Sequence, residues 1–176
     1  MKKSTLLLSL ILAVPAVAQD KKPTTLREVL LAELRSTHTE AEWFVPVSTA
    51  VKGLTAEQAN WADGKGNHSV GQLTYHLLFW NQRNLAVLKG EKLEKFGGNN
   101  DETFDKFDSK TWDETVQQLD KVMNELEKWV ETADEEKLKR NSQVFTHIST
   151  HNAYHVGQII YVRKELGAWD PKNGVS

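Results

Sequence analysis

Two histidines one helical turn apart, in a chain with no cysteine, set the chemistry this sequence can attempt. His151 and His155 fill the gaps in an apolar row, Val144, Ile148, Ile159, Val162 and Leu166, that recurs at helical spacing. Both imidazoles therefore share the inward face. At about 100° per residue, positions four apart sit one turn above each other, so the two rings can reach a single metal ion. His147 extends the row by a turn but lies beside Ile148, nearer its edge. A lone histidine on an apolar face is usually a core residue with a satisfied hydrogen bond. Two in successive core positions are harder to satisfy, since a buried ring nitrogen left unpartnered costs about 1–3 kcal/mol. A metal ion would satisfy both together, yet HxxxH alone leaves the metal and core readings open.

A third imidazole stands on an earlier helix. Ser69 and Gln72 have capping-box spacing and open a helix through about Lys89, closed by Gly90, with a stripe of Val70, Leu73, Leu77, Trp80, Asn84 and Leu88. His76 lies one turn from Leu73 and from Trp80, on or beside the buried face, which makes it the natural third ligand. His68, just before the cap, reads as a loop or capping residue. His38 falls on the stripe of the first helix and reads as a core histidine or a neighbour of the site.

Those histidines need long elements to hold them. Thr24 or Thr25 caps a first helix with the stripe Leu26, Val29, Leu30, Leu34, His38, Ala41 and Phe44 or Val45, expected to end near Pro46. Thr55 and Gln58 mark a short helix that Trp61 packs down, followed by a loop over residues 63–67. The segment from Glu91 to Lys110 is long for a connection within a compact domain, and reads either as a wall over a site or as a plain surface crossover. Its Asn99, Asn100, Asp101 and Glu102 lack the EF-hand order of ligands, which excludes that calcium loop. Thr111 and Glu114 give a third capping-box spacing before Trp112, Val116, Leu119, Met123, Leu126, Val130 and Ala133. That seam carries no histidine and no inward carboxylate, so its helix reads as structural. Asp134 to Leu138 reads as a short amphipathic turn, with Asn141 or Ser142 capping the last helix and Leu166-Gly167 closing it. With no alternating strand pattern, the expected fold is all-α, a four-helix bundle.

The start of the chain has another purpose. A basic Met1-Lys-Lys, the apolar run from Leu6 and Ala16-Val17-Ala18 form a cleavable signal peptide over residues 1–18, leaving one domain over residues 19–176. The expected location is periplasmic or extracellular. The apolar run is too short for a stable membrane span. Without cysteine, no lipidated cysteine, disulfide, thiolate nucleophile or zinc-thiolate site can exist. With 22 basic and 24 acidic residues there is no basic stripe for nucleic acid, and six tryptophans suggest a rigid interior or a lined pocket.

If His76, His151 and His155 meet, they supply three neutral imidazoles and leave a position for water or substrate. Zinc is the chemical default; nickel, iron, manganese and cobalt also suit imidazole. Ferritin-type di-iron would need Glu-x-x-His pairs, which are missing, and a haem has no CxxCH attachment motif. Tyr75, Tyr154, Arg83 and Gln158 lie near the right turns, but none stands out as a general base.

The segments Gly53-Leu-Thr-Ala-Glu-Gln-Ala-Asn-Trp61, His68-Ser-Val-Gly-Gln-Leu-Thr-Tyr-His76 and His147-x3-His151-x3-His155-Val-Gly-Gln158 resemble the DinB/YfiT-like superfamily of metal-binding four-helix bundles. The resemblance spans essentially the whole mature chain. It implies that the family's three ligating histidines fall on His76, His151 and His155, with His147 in the ligand surroundings or the substrate pocket. Characterised relatives include transferases and isomerases that use bacillithiol, mycothiol or glutathione. An export signal sets this chain apart from those cytosolic enzymes. The expectation is a metal-dependent hydrolase or transferase acting on a small molecule, with room for a homodimer; the alternative is a non-catalytic metal-binding or interaction module of the cell envelope.

Overall fold

A computed structural model describes residues 23–105 and 107–174. The expected signal peptide lies outside the described residues. Those described are helical, with no strand among them, and no helix among them is long and apolar enough to cross a membrane.

Helix α1, Leu26–His38, starts on a capping box in which Thr25 accepts from the Glu28 amide and the Glu28 carboxylate accepts from the Thr25 amide. It stops well before Pro46. Ser36 and Thr37 turn their hydroxyls back onto the carbonyls of Glu33 and Leu34, at 2.9 Å each, a local competition that weakens a helix. Ala41 is consequently an exposed loop residue, and Val29 faces solvent rather than the core. The short helices α2, Val47–Val51, and α3, Ala56–Asn60, follow, the latter on the expected Thr55/Gln58 box.

Helix α4, Val70–Leu88, opens on the Ser69/Gln72 box and closes before Gly90, whose φ of 82° suits glycine. Its buried face carries Asn81 and Leu85 where Asn84 and Leu88 were expected; the latter two are half-buried. A crossover containing the short α5, Glu102–Asp105, leads through a 3-10 turn to α6, Trp112–Thr132. Gly71 is where this crossover comes closest: a Cβ there would stand 2.2 Å from the Phe107 ring, so only glycine lets that ring lie against α4. The α6 seam is buried at Trp112, Leu119, Met123, Leu126 and Val130, but Thr111 does not cap it. The Thr111 hydroxyl donates instead to the Asp108 carbonyl at 2.8 Å, inside the 3-10 turn.

The last helix, α7, runs unbroken over Glu135–Glu165 and begins earlier than expected. Asp134 is its cap, accepting from the Lys137 amide at 2.8 Å, so the stretch to Leu138 is its first turn and Ser142 sits in mid-helix. No glycine or proline interrupts it before Gly157, and Leu138 and Phe145 already bury the face that the histidines continue.

Among the described residues, four long helices form the core through the pairs α4 with α6, α1 with α7, α4 with α7 and α1 with α6. Helices α6 and α7, although joined by only Ala133 and Asp134, therefore lie at opposite corners, meeting across the centre where Trp129 and Phe145 approach to 5.3 Å. Each fully buried Leu, Ile or Phe in this centre contributes about 1.5–3 kcal/mol. Between α4 and α7, Asn81 donates to the Asn152 side chain at 2.9 Å and to the Leu77 carbonyl at 2.8 Å, a buried amide link fixing the relative height of the two helices.

His38 ties α1 to α6. Its ring is 1% exposed, with Nδ1 2.7 Å from Glu127 and Nε2 3.0 Å from Asp120. Both carboxylates stand one position off the α6 seam, which itself carries no acid, as expected. Burial pushes the His38 pKa down, but the hydrogen bonds and charges of Glu127 and Asp120 outweigh it and leave it above 6.5. Two acceptors on one ring hold an imidazolium. A raised folded value means stabilisation that is full below pH 6.5 and is lost as pH rises through the folded pKa. His38→Leu should cost about 2–3 kcal/mol at pH 6, and the gap to wild type in urea unfolding should narrow towards alkaline pH. A gap that does not change with pH would show that His38 is uncharged.

Candidate metal centre

Adjacent α4 and α7 bring the three predicted histidines to one point. His76 sits on the second turn of α4 and is 2% exposed; His155 is buried and His151 half-buried on α7. One ring nitrogen from each lies within 4.8 Å of the others, and the Nε2 atoms of His76 and His151 are 3.1 Å apart. Ligand nitrogens about 2.0–2.1 Å from a tetrahedral ion stand about 3.3–3.4 Å from one another, and the His76–His151 pair is already close to that spacing. No other such cluster occurs among the described residues.

The outer nitrogens of two rings are already engaged. His76 Nδ1 is 2.5 Å from the Thr103 hydroxyl, and His155 Nδ1 is 2.6 Å from the side-chain amide oxygen Oε1 of Gln158, one turn further along α7. Such partners orient a ligating imidazole and fix its tautomer. The rings are also held neutral. Burial, then the neighbouring His155, His151 and His68, push His76 down to about 3; burial and His155 take His151 to about 4. Burial lowers His155 as well, against an upward pull from Gln158. Neutral imidazole is the form a metal binds.

The crossover forms the wall of the centre. Phe104 lies between the rings of His68 and His76, 3.9 Å from each and parallel to them within 5°. Of the two readings of this long segment, the wall is the one supported. His68, expected only as a loop or capping residue, is in that loop but adds a ring to the stack. Neither the contact of Thr103 with His76 nor the ring stack of His68 and Phe104 was legible in the sequence, where the length of the crossover pointed only to the segment that carries Thr103 and Phe104.

A cavity of about 740 Å³ opens beside the three histidines, bordered by Trp80, Tyr154 and His147, with Asn100 and Asp101 at its rim. His147 is exposed there and stands outside the three-nitrogen cluster. Arg83 is not part of this cavity: it donates to the Glu94 carbonyl and lies over the Phe79 and Phe96 rings. Tyr75 does not line it either, whereas the Tyr154 hydroxyl accepts from Gln158 at 3.4 Å.

Three nitrogens from two helices, two with their outer edges tied and all facing a cavity, form a donor set that fits a divalent ion with a coordination position to spare. Comparison with known proteins bears on the same residues. A model of the DinB superfamily matches residues 46–159, the greater part of the chain, and takes in all three histidines. No curated protein and no solved structure matches.

Proposed function

Because the chain belongs to the DinB superfamily, a metal-binding group, we propose that it holds one divalent ion on the Nε2 atoms of His76, His151 and His155 and uses it in catalysis. The domain is a four-helix bundle over residues 19–176, exported behind a signal peptide at 1–18. Zinc is the first choice for three imidazoles, with nickel, iron, manganese and cobalt also compatible. The reaction class is metal-dependent hydrolysis or transfer on a small molecule.

One observation carries this reading: the three converging nitrogens line the wall of a cavity of about 740 Å³, large enough for a small-molecule substrate. A divalent ion held there supplies Lewis acidity to a substrate oxygen or a water molecule. The chain does the rest. Phe104 covers one face of His76 and keeps water from that side, Trp80 meets the His76 ring edge-on, and Gln158 holds His155. Tyr154 and His147 border the cavity where a substrate's outer groups would stand. A non-catalytic module of the cell envelope would be better served by a site closed under tryptophan; the half-buried His151 beside the cavity favours the enzyme.

Elemental analysis of the untagged protein from its exported fraction, beside a His76/His151/His155 triple alanine variant, tests the proposal. About one ion per chain in the wild type and none in the variant are expected, followed by turnover in a screen of hydrolase and transferase substrates. A metal-free wild type would make the histidines core residues. A loaded protein inert in every assay would favour the module.

A further inference from the structure

We propose that Thr103 is a positioning residue for the metal centre, determining which ring nitrogen of His76 carries the proton and so which one is free to bind the ion. Its consequence for metal rests on the three-histidine reading above, but the hydrogen-bond logic does not. A carbonyl oxygen can only accept, and Thr103 Oγ1 lies 2.6 Å from the Asn100 carbonyl, so the hydroxyl proton points there. The contact of Thr103 with His76 Nδ1, at 2.5 Å, must then run the other way, from ring N–H to hydroxyl oxygen. Nδ1 holds the proton. Nε2, the atom 3.1 Å from His151 Nε2, keeps its lone pair for the centre.

Thr103 is 1% exposed, which shields this bond from competing water. Phe104, the next residue, presses on the face of the same ring at 3.9 Å. Two consecutive side chains thus set the tautomer and the plane of His76 from outside the helix that carries it. His155 differs, since its partner Gln158 lies on its own helix. His76 is therefore the ligand whose orientation depends on how the crossover is folded. The turn before Thr103 is itself pinned, with the Asp101 amide on the Asn99 side chain and the Asn99 amide on Glu102.

Long-range 15N–1H NMR of the metal-free protein reads the tautomer directly. Wild-type His76 should carry its proton on Nδ1, and Thr103→Val, close to isosteric, should give a mixture of tautomers. Chelator competition with zinc should show affinity about 10–100-fold weaker in Thr103→Val, and near wild type in Thr103→Ser. The visible absorption bands of the cobalt(II) form should shift in the valine variant and return in the serine variant, which a loss of packing alone would not produce. If circular dichroism finds the valine variant unfolded, Thr103→Ala takes its place. A wild-type His76 protonated on Nε2, or a valine variant with unchanged affinity and cobalt spectrum, would overturn the proposal. Failure of the wild type to bind either metal would refute the metal reading, while the NMR result would still decide the role of Thr103.

Discussion

His151→Ala and His155→Ala should each emerge from purification without metal, while His147→Ala should retain about one ion per chain. All three residues lie on one helix at four-residue intervals, and spacing alone does not separate them. The fold does: His151 and His155 turn ring nitrogens into the cluster with His76, and His147 is exposed at the cavity's edge. If the roughly 10–16 kcal/mol of a structural zinc site is shared among four ligands, each is worth roughly 3 kcal/mol, or a hundredfold or more in affinity. Two imidazoles on two helices would then lose the ion to a mild chelator. Full stoichiometry in both the His151 and the His155 variants would show that the site lies elsewhere. Loss in His147→Ala as well would bring that residue into the ligand set.

Acidification should destabilise the metal-free protein steeply, and the triple alanine variant should escape most of that loss. A histidine whose folded pKa is depressed binds fewer protons folded than unfolded, so stability is unaffected above the unfolded value of 6.5 and falls as pH drops below it. For His76 the fall continues to about 3. For His151 it continues to about 4. At about 1.4 kcal/mol per pH unit, the His76 window alone amounts to about 5 kcal/mol, a large share of a domain's total stability. The contributions of His76 and His151 do not simply add, because each ring helps to depress its neighbour. His38 acts with the opposite sign, adding stability that persists in acid, so it remains in both proteins and cancels from the comparison. Urea unfolding at pH 7, 6, 5 and 4 measures the difference. Parallel curves for wild type and triple variant would mean that the three rings already take up protons near their ordinary value.

What could be read in advance was local. Thr55 with Gln58 and Ser69 with Gln72 announced their helices because a capping box is complete within four residues. His151 and His155 could be placed on one inward face because periodicity reports faces. The errors also have local causes: the hydroxyls of Ser36 and Thr37 ended α1 early, and Asp134 outcompeted Ser142 as the cap of α7. Partners brought together by tertiary structure left no such trace. Glu127 lies 89 residues from His38, and Thr103 lies 27 from His76. Each looked like an ordinary exposed or loop residue until the helices around it were packed.

A chain whose last two helices occupy opposite corners cannot assemble as a string of helical hairpins. Although α6 and α7 are joined by two residues, α7 finds its neighbours in α4 and α1, far back along the sequence. Loop-closure entropy must be met before those contacts return anything, which slows folding relative to up-and-down helical proteins of similar size. The crossover between α4 and α6 holds the remaining neighbouring pair together, and its rings pack on α4 at Gly71 and His76. The order of events this favours is α4 with its crossover and α6 first, and α7 afterwards. The last two histidines then arrive at a His76 already turned to meet them.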